Sequence, residues 1–296
     1  MIIIQNISLK DNDGIESVVI TGKTNIKSTD TEIIFNNNGT LTGNTGLVYY
    51  SNNDNLKFNI GSTAAGCNSV AMAGGNVNGN YSVAMASGQA ICDNSVGMAT
   101  GFACSCNSVG MAGGCTFGCY SVATSCGQAC GNNSVAIGYN SYSCGNNSVA
   151  MAGGVTNGDY SVAMSAGYAG GNCSVAMTGG IALGQYSMAA NNGEAESDFS
   201  FALGYGNVVS SNNALVIGGN NNVLYSGNTN SGIIGGNNIV VTGNTYTDTI
   251  IVPKLISWCS DVEINNLGSG VILKSPNGCR WRMTITNTGV FCSTEL

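Results

Sequence analysis

The chain has 296 residues, of which 44 are Gly, 2 are Pro, 8 % are charged and none is His. That is not the composition of an ordinary globular enzyme, and it excludes nucleophile, base and orienter sets that use imidazole. The net charge of -7 comes from scattered acids, and the eight basic residues stand near the ends as Lys10, Lys23, Lys27, Lys57, Lys254, Lys274, Arg280 and Arg282, so the middle lacks the clustered cations a nucleic-acid partner needs.

The start, Met1-Ile2-Ile3-Ile4, has no basic n-region and is cut short by Gln5-Asn6. It predicts neither a signal peptide nor a bilayer span, hence assembly in a cytosol without membrane insertion. In that reducing compartment the 13 Cys are expected to remain thiols and behave as small hydrophobes. Residues 1–61 read as an N-terminal β module, with short extended segments at Leu41 to Tyr50 and Asp54 to Phe58.

From about residue 62 to 242 the chain repeats. A Ser opens each Ser-Val-Ala-Met-like run at Ser69, Ser82, Ser95, Ser108, Ser121, Ser134, Ser148, Ser161, Ser174, Ser187 and Ser200. Every interval is 13 residues except Ser134 to Ser148, which is 14, and a degenerate continuation follows at Ala214 to Gly218 and Ser231 to Gly235. Gly-Asn-like pairs before each Ser and a second set of Gly near Gly75, Gly88 and Gly101 mark two corners per repeat, which predicts a coil of two short strands. Stacked in parallel at about 4.8 Å each, some thirteen coils form a rod about 50 to 60 Å long.

Along the first strand the side chains alternate between two faces. The bulky face carries Val nine times running, then mostly Met, Ile or Leu two residues on, and Val70, Met72, Val83, Met85, Val135, Ile137, Val149 and Met151 are the expected shaft core. The opposite face is Ser, Ala, Gly or Thr. Whether the bulky face turns into the roll or toward another subunit is open at this stage. Thirteen residues bent twice enclose too little interior to exclude water alone, so a homotrimer is expected.

A longer rhythm groups the coils. Met72-Ala73-Gly74-Gly75, Met111-Ala112-Gly113-Gly114 and Met151-Ala152-Gly153-Gly154 recur at 39 and 40 residues, each leading to a Tyr before the Ser: Tyr81, Tyr120 and Tyr160, with Tyr186 arriving early. Growth by duplication lengthens a shaft; it does not build a unique catalytic pocket. Tyr81, Tyr120, Tyr160 and Tyr186 are candidate receptor contacts, against the plainer expectation that each covers the small residues of a neighbouring Gly-Gly corner.

Residues 243–296 read as a C-terminal capping or tip β domain. Ser275-Pro276-Asn277-Gly278 suits a type I turn, and the strand after it alternates Cys279, Trp281, Met283 and Ile285 against Arg280, Arg282, Thr284 and Thr286. Arg280 and Arg282, the only guanidinium groups, are further candidate contacts for a host surface.

Asn133-Ser134-Val135-Ala136-Ile137-Gly138 and Asn147-Ser148-Val149-Ala150-Met151-Ala152 resemble the head repeats of YadA-like trimeric autotransporter adhesins. The resemblance covers about 62–242 and implies a trimeric left-handed parallel β-roll. Frequent Met for Ile and Ala for Gly depart from that pattern. The flanks resemble bacteriophage fibre modules, and Gly270 to Ile285 is similar to a C-terminal hairpin of phage tail-fibre proteins. Together these predict an all-β, homotrimeric short-coil β-roll serving as a virion fibre of head or tail. It would attach to capsid or tail proteins through residues 1–61 and contact a host-surface glycan or protein. A bacterial surface adhesin head is the alternative, and a glycan depolymerase a third.

No cofactor, metal or catalytic residue is expected. Of the isolated acids in the repeats, Glu194 and Glu196 would share a face if extended, but Gly193 and the loss of pattern predict a loop there, with Asp198 beyond. Cys104-x-Cys106, Cys115-x3-Cys119 and Cys126-x3-Cys130 are close pairs without zinc-like separation, and Cys67, Cys106 and Cys119 take the corner slot that elsewhere holds Asn or Asp. Stacked thiols are therefore expected, not a metal site.

Overall fold

The computed structural model describes residues 61–243, 248–253, 271–286 and 288–296, together with the strand backbones at 9–10, 16–17, 31–37, 40–50 and 55–58. Lys23, Lys27, Lys254 and Cys259 lie outside the described residues. Among the described residues every regular element is a strand, and the chain divides into two compact units, Met1–Val252 and Pro253–Leu296.

The first unit is a parallel β-solenoid of about fourteen turns. Each turn contributes a three-residue strand such as Val70–Met72 to a major sheet, and a two-residue strand such as Asn76–Val77 to a minor sheet of 14 strands. Each strand pairs with its counterpart one repeat on, as in Val70↔Val83 and Asn76↔Gln89. The ladder runs past both ends expected for the shaft: Asn55–Phe58 pairs in parallel with Val70–Met72, and Gly232–Ile234 with Ile250–Ile251. Upstream, Thr31–Asn37 and Thr40–Tyr50 form an antiparallel pair that continues onto Asn55–Phe58.

Two corners close each coil. At the corner after the major strand, Gly75 N–H donates to Met72 O at 2.9 Å across Ala73 and Gly74, whose φ values are +49° and +77°. Positive φ at both central residues is the tight turn that reverses a chain in two residues. Gly75 then has to be glycine, because a Cβ there would lie 2.2 Å from Ala84 O of the next coil. The 14-residue coil spends its extra residue at this corner. Gly138, Tyr139 and Asn140 precede Ser141, whose Oγ donates to Ile137 O at 2.8 Å and accepts from Gly153 N–H at 3.0 Å.

The interior of the coil is the narrow face. Ser69, Ala71 and Val77, and their counterparts down the stack, are fully buried. Of the residues expected as shaft core, Val70, Met72, Val83, Met85, Val135, Val149 and Met151 are only half-buried, and Ile137 is 41 % exposed. All eight lie on the outside of the major sheet, so of the two faces the sequence left open it is the narrow one that lines the coil. The cause is the cross-section. An added Cβ at Gly97, on the inner face, would stand 2.2 Å from Gln89 O of the opposite strand, so that coil has no room even for a methyl group, and most neighbouring coils carry only Ala there. Most buried Ser spend their hydroxyl locally, as in Ser69 Oγ to Gly66 O at 2.9 Å and Ser174 Oγ to Gly171 O at 2.6 Å, whereas Ser134 Oγ and Ser211 Oγ have no partner among the described residues.

Such a core is thin. A buried methyl contributes about 0.8 kcal/mol, less than the roughly 1–2 kcal/mol lost in fixing one residue's backbone. The ladder hydrogen bonds and the outer faces must therefore supply much of the stability. Toward the end of the stack the interior widens to admit Val209, Val216, Leu224, Ile233 and Val241. There the longer corners bury Asn207 and Asn222, which bridge coils: Asn207 Oδ1 accepts from Asn222 N–H, and Asn222 Oδ1 from Ile239 N–H, each at 3.0 Å. In mid-shaft the alanine core gives way to hydroxyls, with Ser143 Oγ 2.7 Å from Ser148 Oγ and Thr156 Oγ1 donating to Ser148 Oγ at 3.0 Å.

The second unit contains a three-stranded antiparallel sheet, Val271–Lys274, Arg280–Ile285 and Phe291–Glu295, with Arg280–Ile285 in the middle. Its first hairpin turns where the sequence places it: Gly278 N–H donates to Ser275 O at 2.9 Å, and Gly278 adopts φ +91°. The register puts Val271, Leu273, Trp281, Met283, Ile285 and Phe291 on one face, and all six are exposed.

Candidate functional site

The corner that precedes each repeat Ser is the most regular surface of the solenoid. Its last residue takes left-handed φ in every coil: Asn68 (+53°), Tyr81 (+54°), Asn94, Asn107, Tyr120, Asn133, Asn147, Tyr160, Cys173, Tyr186, Phe199, Asn213, Asn230 and Asp248. The N–H of this residue bonds back to the preceding coil, as Tyr81 to Cys67 O at 2.8 Å and Tyr160 to Asn146 O at 2.9 Å, which stacks these positions into one column. The neighbouring slot explains why Asn and Asp recur there. Asn80 Oδ1 accepts from Cys67 N–H (2.8 Å), Asp93 Oδ1 from Asn80 N–H (2.8 Å), and Asp159 Oδ1 from Asn146 N–H (2.7 Å). Each such side chain satisfies an otherwise open corner donor one coil back.

All four predicted tyrosines therefore fall in a single column. They are 65, 63, 65 and 53 % exposed at Tyr81, Tyr120, Tyr160 and Tyr186, and the Gly-Gly corners lie at the other edge of the coil, so the rings do not cover them. Left-handed φ suits Asn, whose short side chain bonds locally, but in a bulky residue it is strained by about 1–3 kcal/mol. Phe199 belongs to the same column, 51 % exposed, with its ring stacked on Tyr186 at a centroid distance of 5.0 Å and an interplanar angle of 9°. The signal for it was present: it stands immediately before Ser200 in the repeat frame. Tyr139 and Tyr205 are exposed at the opposite corner, in coils whose repeats are 14 residues long.

A second surface is the outside of the major sheet. Val pairs with Val in register from Val70 to Val175, and Met with Met at Met72↔Met85, Met98↔Met111 and Met151↔Met164. The outside of the minor sheet is mixed by contrast, with Asn76, Gln89, Phe102, Cys115, Gln128 and Tyr142 in successive coils.

The remaining candidates separate. Arg280 and Arg282 share the polar face of the sheet in the second unit, the first exposed and the second half-buried. Glu194 is not in a loop: Glu194–Ala195 is a minor-sheet strand paired with Ile181–Ala182 and Val208–Val209, because the irregularity is confined to Asn191 and Asn192, both at positive φ in the corner before it. Glu196 accepts from Ser210 Oγ at 2.5 Å, and Asp198 Oδ1 from Gln185 N–H at 2.8 Å, so both carry structural bonds between coils.

The twelve described cysteines are free thiols, and among the described residues no group of three or more potential metal ligands converges. Cys67, Cys106 and Cys119 do occupy the Asn/Asp corner slot. Burial, reinforced by Cys144 in the next coil, pushes the Cys130 thiol up to about 11. Among the described residues no helix is long and apolar enough to cross a membrane.

A model of the YadA head domain repeat matches the chain twice, over residues 129–151 and 195–221. Both stretches span a 14-residue coil, Ser134 to Ser148 and Ser200 to Ala214. The intervening 13-residue coils have the same strands and register but a corner shorter by one residue. No curated protein matches the chain. The shaft thus carries YadA-like head repeats over these two stretches.

Proposed function

We propose that this chain is a non-enzymatic, homotrimeric virion fibre of a bacteriophage, built on an adhesin-like shaft. The observation that carries the trimer is the contrast between the two outer faces. A Val ladder unbroken from Val70 to Val175, flanked by a Met ladder interrupted at Thr124 and Ile137, covers the major sheet while the minor sheet is mixed, and a coil whose interior is Ala and Ser has few other places to bury apolar area. Three major-sheet faces turned toward a common axis would bury those ladders and leave the corner column in solvent. Residues 1–61 attach the fibre to capsid or tail proteins in this reading, and the shaft and the sheet at 271–296 project toward a host surface.

The phage assignment is supported by the flanking segments that resemble fibre modules. A bacterial surface adhesin head is the second reading, favoured by the family model that matches at 129–151 and 195–221.

The purified chain should run as a trimer in sodium dodecyl sulfate without boiling and as a trimer by light scattering; a monomer at micromolar concentration would remove the fibre. The chain should also be found in density-purified phage particles by mass spectrometry. Its recovery from the outer membrane of uninfected cells instead would select the adhesin.

A further inference from the structure

We propose that the aromatic corner column, Tyr81, Tyr120, Tyr160, Tyr186 and Phe199, is a binding edge for a neutral polysaccharide laid along the shaft. This names the ligand of the adhesive reading above and rests on it. Asn fills half of the column and suits left-handed φ, yet five coils carry an aromatic ring at that cost. All five rings are more than half exposed, and only Tyr186 and Phe199 pack on each other, so intramolecular packing does not account for Tyr81, Tyr120 and Tyr160. What they touch lies outside the chain.

The geometry selects the ligand. Successive rings are three, three, two and one coils apart, which at the strand spacing is about 14, 14, 10 and 5 Å along one line. Rings so dispersed do not form the contiguous buried patch that a protein interface needs. They suit an extended chain that meets an apolar face at intervals. Between them Asn94, Asn107, Asn133 and Asn147 present exposed amides that can donate to and accept from hydroxyl groups.

Charge narrows the class further. No cation stands in the sequence between Lys57 and Lys254, while Asp93, Asp159 and Asp198 occupy the adjoining slot, so an anionic chain would be repelled and a neutral one accepted. A second copy of the chain is a poorer occupant, because the column intersperses Tyr with Asn while the Val ladder from Val70 to Val175 offers an unbroken seam.

The test is affinity electrophoresis of the full chain through gels containing dextran, mannan or a galactan, with alginate and hyaluronate as acidic controls. At least one neutral gel should retard the protein and neither acidic gel should. In the variant Y81N/Y120N/Y160N/Y186N retardation should fall at least tenfold, with the oligomeric state kept and the melting temperature equal or higher, since Asn relieves the left-handed strain. Retardation in none of the neutral gels, or equal retardation of the variant, overturns the proposal. Loss of the oligomer in the variant also overturns it, by making the rings subunit contacts. A monomeric wild type that is still retarded would refute the trimeric fibre and leave the edge standing.

Discussion

Two thiols one coil apart, Cys130 and Cys144, show how stacking alone perturbs a side chain. The residues just before them, Ala129 and Ser143, pair in register, which brings the thiols together. Desolvation first, and Cys144 second, raise Cys130 from the ordinary thiol value of 9.0 to about 11. Below pH 9 the thiol is neutral in both folded and unfolded chains and contributes no pH dependence. Between about 9 and 11 the unfolded chain releases a proton that the folded chain retains, so this group's contribution to stability is lost as pH rises through that window. Because the thiolate is the nucleophile, iodoacetamide at pH 8.5 should label Cys130 more slowly than Cys126, although both are exposed. Peptide mapping after short labelling reads the difference, and equal rates would contradict it.

The coil is the element at which sequence and structure part. Its two corners, its strands and their register were legible, because Ser recurs at 13 residues and Gly or Asn marks the turns. The slot before Ser was legible as a corner tolerant of left-handed φ, and its Tyr were legible as one row. Which face lines the interior was not. A period of two separates bulky from small residues but carries no measure of the gap between the sheets, and a Cβ at Gly97 just 2.2 Å from Gln89 O shows how small that gap is. Ala150→Leu should therefore destabilise the shaft by about 1–3 kcal/mol through overpacking, read from thermal denaturation. Val149→Leu, on the outer face of the same strand, should cost far less in the isolated coil. The reverse order of effects would show that the faces are exchanged.

For the whole shaft, length is a matter of counting. Deletion of Val83 through Ser95 joins Ser82 to Val96 and keeps every ladder in phase, whereas deletion of Val83 through Asn94 leaves one coil of 14 residues whose extra residue sits at Ser82-Ser95, away from the corner that absorbs one at Gly138 to Ser141. The first variant should keep a melting temperature close to that of the full chain, and the second should melt lower. That same regularity exposes the proposed trimer to error, since subunits whose coils are nearly identical could slide by one coil, about 4.8 Å, with their Val ladders still matched. The longer corner at Gly138 to Ser141 breaks this degeneracy. Its exposed Tyr139 stands at one height on the outside of the coil, so three chains have a mark by which to find their common phase. A repetitive rod thereby acquires an address along its length, and one additional residue in one turn is enough to write it.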